Sequence, residues 1–166
     1  MKISTEVRFG VRLGLALCVF TVFMWLARFD SMYLQSGEYF NKIVILLPLI
    51  FTFLSISAKS KETKLTVLKR IQCGLITNFV AYLIHIPFLL FYHHFLNPDW
   101  LKFLLEFKEK QLFAQNALPE QIQTALENVK TMSSDLNLIT NGFVAGVVIF
   151  GLVFSLLTLP FFRGGK

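Results

Sequence analysis

Four apolar stretches, at Val11–Phe29, Ile43–Ala58, Ile71–Leu96 and Leu138–Phe162, are separated by segments whose basic residues fall on alternate sides. A helix rises about 1.5 Å per residue and the hydrocarbon core of a bilayer is about 30 Å thick, so about 20 apolar residues span it. Each stretch meets or nearly meets that length. The pattern predicts an all-α fold: a polytopic membrane four-helix bundle with an amphipathic extracytoplasmic helical hairpin between spans three and four. Of 166 residues, 55 % are hydrophobic and 16 % charged, which leaves no length for a soluble domain; one integral membrane domain over residues 1–166 is expected. No catalytic signature and no cofactor loop stands out, so neither a cofactor nor a metal is expected.

The partner implied first is the lipid bilayer. The net charge of +6 is scattered among apolar stretches, so no basic face for nucleic acid can be drawn. Nineteen phenylalanines suit lipid contact as well as a core. Lys2, Arg8 and Arg12 ahead of an apolar run resemble a secretory signal, but Trp25-Leu26-Ala27-Arg28-Phe29 offers no A-x-A cleavage spacing, and the first span is expected to stay as an anchor. Cys18 and Cys73 lie inside predicted spans and imply no disulfide framework.

Lys and Arg near span ends are retained in the cytoplasm. Lys2, Arg8, Arg12, Lys59, Lys61, Lys64, Lys69, Arg70, Arg163 and Lys166 fall on one side, opposed only by Glu6 and Glu62, for a net +8. The other side carries Arg28, Lys42, Lys102, Lys108, Lys110 and Lys130 against eight acids, for a net −2. Both termini are therefore expected in the cytoplasm.

The long connection Asn97–Asn137 reads as two helices, at about 98–115 and 119–131. Asn97 suits an N-cap, Pro98 the first helical position and Asp99 the positive end of the helix dipole. Trp100, Leu101, Leu104, Leu105, Lys108 and Leu112 share one face, and Glu106 is spaced to pair with Lys110. After the break at Asn116-Ala117-Leu118-Pro119, Ile122, Ala125, Leu126 and Val129 form the second apolar face. These faces suit self-packing or the lipid interface, where Trp100 is at home, and alternatively a partner protein.

Span three holds the most polar content. Asn78, Tyr82 and His85 fall at i, i+4 and i+7 on one face, a candidate intramembrane polar site. An ionisable group at membrane depth suggests a proton relay or a polar ligand. The plainer alternative is hydrogen bonding across helices, including to the carbonyl of Leu83 that Pro87 frees. His93 and His94 sit near the outer interface and, as neighbours, point about 100° apart, which is poor for joint chelation. Gly10 and Gly14 in the first span, and Gly142, Gly146 and Gly151 in the last, make small-residue faces that let helices approach closely. These faces suit contact between the terminal spans, a homo-oligomer or a partner in a membrane complex.

Asn97-Pro98-Asp99-Trp100-Leu101 at the exit of span three, a Lys/Glu-rich helix, Pro119-Glu120-Gln121-Ile122 and the basic connection Lys61–Arg70 together resemble a bacterial family of small four-span membrane proteins, domain-of-unknown-function family 4199. The resemblance runs over nearly the whole chain. Members typically carry a Gly before a Ser/Thr-initiated second hairpin helix, where this chain has Asn116-Ala117-Leu118-Pro119. The resemblance implies the layout and carries over no activity. The leading expectation is a structural or interaction component that is not an enzyme. A small transport subunit using Asn78, Tyr82 and His85 comes second, and a lipid-active or metal-dependent membrane enzyme third.

Overall fold

The computed structural model describes residues 3–162, all helices and short turns; Lys2, Arg163 and Lys166, which entered the charge count, lie outside the described residues. The first span is helix α1 (Thr5–Leu26). It ends in a double hydrogen-bonded turn, with Arg28 N–H donating to Trp25 O and Phe29 N–H to Met24 O, both at 2.9 Å. That closure requires a left-handed residue, and Arg28 takes it at φ 56°.

Residues 34–42, expected in the connection after span one, instead belong to helix α2 (Leu34–Ile43), which leads into α3 (Leu46–Glu62). Gln35, Glu38, Asn41 and Lys42 hide this helix from a hydropathy scan. The break at Val44–Ile45 has a local cause. Pro48 has no N–H for the Val44 carbonyl, which accepts from Leu47 N–H at 3.0 Å instead.

The third span is α4 (Val67–Phe91), capped at Thr66, whose hydroxyl accepts from Lys69 N–H at 3.4 Å. Pro87 sits inside α4 without ending it. A π-helical turn, Tyr92–Leu96, follows, with Asn97 N–H reaching back to Tyr92 O at 2.8 Å.

The hairpin is α5 (Trp100–Ala114) and α6 (Pro119–Met132). Asn97 does not cap α5; the helix starts later, after Asp99, because the Asn97 side chain is taken up elsewhere. Asn116, at φ 55°, closes α5 with the same turn that ends α1, its neighbour Ala117 donating to Leu112 O at 3.1 Å. Gln121 accepts from Leu118 N–H at 3.1 Å and starts α6. The last span runs through α7 (Asp135–Phe143), a π-helical stretch Val144–Phe150, α8 (Gly151–Leu157) and a 3-10 turn Leu159–Phe162.

Among the described residues, four helical segments are long and apolar enough to cross a membrane: Thr5–Leu26, Leu34–Glu62, Val67–Leu96 and Asp135–Leu157. Within their most apolar windows only 22 to 28 % of residues are buried in the protein, so most of that apolar surface needs hydrocarbon around it. Span three is the centre of the bundle, with α1, α3 and the last span all packed against it. The glycines explain how closely. A Cβ at Gly10 would stand 2.7 Å from Thr77 O, and one at Gly14 2.9 Å from Ala81 O. On the last span, Gly142 faces Ile86, Gly146 receives the Tyr82 ring, and Gly151 faces Leu75. Both terminal spans thus direct their small faces at span three.

Candidate functional site

The polar stripe of span three divides between two environments. Asn78 is fully buried and donates through Nδ2 to Thr52 Oγ1 at 2.8 Å and to Gly74 O at 2.9 Å. One turn away, Ser55 and Thr77 share a hydrogen bond of 2.8 Å, Ser55 also meets Cys73 Sγ at 3.3 Å, and Thr77 reaches Glu6 O at 3.3 Å. Ser155, also buried, donates to Gly151 O beside Gly74. These groups tie α1, α3, α4 and α8 together near the termini. Thr52, Ser55, Thr77 and Gly74 were not singled out from the sequence. Their signal was the run of small residues Cys73, Thr77 and Ala81 at four-residue spacing on α4.

Tyr82 and His85 belong to the other environment. Their rings meet edge-on with centroids 6.1 Å apart, and His85 Nε2 lies 3.3 Å from Thr21 Oγ1 on α1. Both border a cavity of about 360 Å³ between α1, α2, α4 and α5. Its walls are largely apolar and aromatic, among them Phe20, Met24, Phe29, Leu89 and Leu104.

The hairpin side of this cavity carries a second polar group. His93 lies flat on Trp100, with centroids 3.9 Å apart and planes 17° off parallel. Asn97, buried just beyond, donates to the Tyr92 hydroxyl at 2.9 Å and to Asp30 Oδ2 at 3.0 Å. The π-helical turn at Tyr92–Leu96 places Asn97 between these two acceptors. Asp30 borders the cavity, yet no Lys or Arg does. Burial raises the Asp30 pKa above the ordinary carboxylate value, against the lowering by its backbone and Asn97 hydrogen bonds. Two buried atoms, Asp30 Oδ1 and His93 Nδ1, have no hydrogen-bond partner in the protein.

Asp30 counted in the sequence only as one of several acids in a connection. Nothing local to Arg28-Phe29-Asp30 places it on the same cavity as His93, 63 positions along the chain. His94 goes its own way, pairing with Asp135 at 2.9 Å on the surface. Among the described residues no group of three His, Cys, Asp or Glu side chains is arranged to hold a metal ion. The hairpin is tethered by Lys108, which binds Glu38 of α2 at 2.9 Å and Gln111 at 3.0 Å. Glu106 and Lys110 are not among the ion pairs of the described residues, although both border one cleft with Ser31 and Tyr33 at the entry to α2.

A bundle of four apolar helices, closed by glycines near one end and hollow near the other, defines an integral membrane protein. The chain belongs to the family described as "Protein of unknown function (DUF4199)", which it matches over residues 8–163. No curated protein and no solved structure matches it.

Proposed function

We propose that the protein is an interaction component of a bacterial inner membrane, not an enzyme, with both termini in the cytoplasm and the α5–α6 hairpin presented outside. One observation carries this reading. The hairpin is fastened to the bundle by Lys108–Glu38 and, through Trp100 and His93, at its base, yet Phe113, Leu118 and Met132 stay exposed on it. An element tethered to the bundle with uncovered apolar side chains suits a contact surface. The charge asymmetry of the connections supports the orientation.

Transport is the second reading, favoured by a carboxylate and His85 bordering one cavity. The interlocked Asn78, Thr52, Ser55 and Thr77 near the termini argue against a continuous route and for a closed-ended pocket.

Purification from native membranes in mild detergent tests the leading reading. A complex larger than the single chain is expected, and Phe113→Glu with Leu118→Glu should dissolve it without lowering the melting temperature. A monomer in native membranes would overturn the proposal. Cysteine labelling of Lys61→Cys from outside intact cells would overturn the orientation.

A further inference from the structure

The cavity between α1, α2, α4 and α5 has the volume and lining of a small-molecule site. Its volume of about 360 Å³ lies in the range of ligand pockets, about 300–1,000 Å³. Thr21 and His85 stand toward its deep end, and Asp30, His93 and Trp100 toward the hairpin. From His85 to His93 the helix rises about 12 Å at 1.5 Å per residue, enough for a short aliphatic chain.

The chemistry of the lining selects the ligand. Asp30 lines the cavity with a carboxylate that accepts from the Asn97 amide and has no Lys or Arg beside it among the lining residues. A carboxylate at a largely apolar wall with no neighbouring cation favours an occupant that donates protons and carries positive charge. An anion has no Lys or Arg to meet it among the lining residues. A metal ion lacks its three ligands among the described residues. An ammonium group suits both the carboxylate and the aromatic side chains that line the cavity, Phe20, Phe29, Tyr82, Tyr92 and Trp100.

We infer that this cavity is a binding site for a protonated amine on an apolar stem, the ammonium group held at Asp30 and the stem lying inward toward Leu17 and Thr21. The inference goes beyond the hairpin contact and does not depend on it. Two sources offer this chemistry: a free lipophilic amine, and the ethanolamine headgroup of a phospholipid.

The test uses the full-length protein in phosphatidylcholine nanodiscs, titrated calorimetrically with hexylamine, hexanol and hexanoate. Hexylamine is expected to bind about tenfold or more tightly than either isostere, and Asp30→Asn to lower its affinity by about tenfold or more. Leu104→Trp, on a helix with no fully buried residue, should block binding by filling the cavity and keeps the test alive if Asp30→Asn does not fold. Equal binding of hexanol, or hexylamine binding unchanged in folded Asp30→Asn or Leu104→Trp, would overturn the inference. Adding phosphatidylethanolamine to the discs separates the sources. Competition with hexylamine upholds the site with a lipid headgroup as occupant, and undiminished binding upholds it with a free amine.

Discussion

The two ends of the bundle use polar residues in opposite ways. Near the termini, Thr52, Ser55, Thr77, Asn78 and Ser155 are fully buried and bond to one another or to nearby carbonyls, with only Asn78 Oδ1 unpaired. Gly10, Gly14, Gly74 and Gly151 bring the backbones close enough for those bonds. Near the hairpin a cavity opens between the helices, bordered by Asp30, His85 and His93 with no Lys or Arg among the lining residues. Polar groups in apolar surroundings therefore carry no single meaning. Those that satisfy each other hold helices together, whereas those left open next to free volume await an occupant.

The largest expected effect falls at the closed end. Gly74→Leu would drive a side chain into Ser155 and the Gly151 carbonyl, which cannot yield without parting α4 from α8. Overpacking of this kind should cost about 3 kcal/mol, read as loss of the monodisperse peak and a lower melting temperature in mild detergent. A matching substitution that left stability unchanged would break the contrast between the two ends.

Asn78→Ala should destabilise by about 1 kcal/mol, as it removes a hydrogen bond between α3 and α4. His85→Ala should cost clearly less, since it frees a single 3.3 Å contact to Thr21 at the edge of a cavity. Parallel thermal melts rank the pair, and a reversed order would place the structural polar group at the wrong end.

Lys108→Ala breaks a half-exposed ion pair between α5 and α2 and should cost about 0.5 kcal/mol or less. Its signature is local: amide exchange should rise in α5 more than in α4. The smallest effect concerns pH. Because burial raises the Asp30 pKa in the folded protein, the folded state binds that proton more tightly than the unfolded chain does. Stability from this group is greatest below the unfolded carboxylate pKa and is lost as pH rises through the folded one. Asp30→Asn should flatten that segment of the melting-temperature profile.

Some of this architecture is legible residue by residue. The apolar runs, Pro119 opening α6 and the amphipathic repeat Ile122, Ala125, Leu126 and Val129 are local signals, and the helices stand there. Helix α2 was not legible, because its polar residues read as a loop until Glu38 meets Lys108 and Gly37 packs on Phe29. Asn97 shows the same limit. As a sequence it suits a helix cap, but the π-helical turn before it aims its side chain at Asp30 and Tyr92.

By itself the sequence determined the solvent and the period: about 20 apolar residues prefer hydrocarbon wherever they pack, and a face repeating at four residues is a property of one helix. Only the tertiary structure decided which polar residues meet. Asn78 and His85 share a helical face yet end in different environments, because the rotation and depth of α1, α3 and the last span against α4 are set by interlocking small residues on several helices at once.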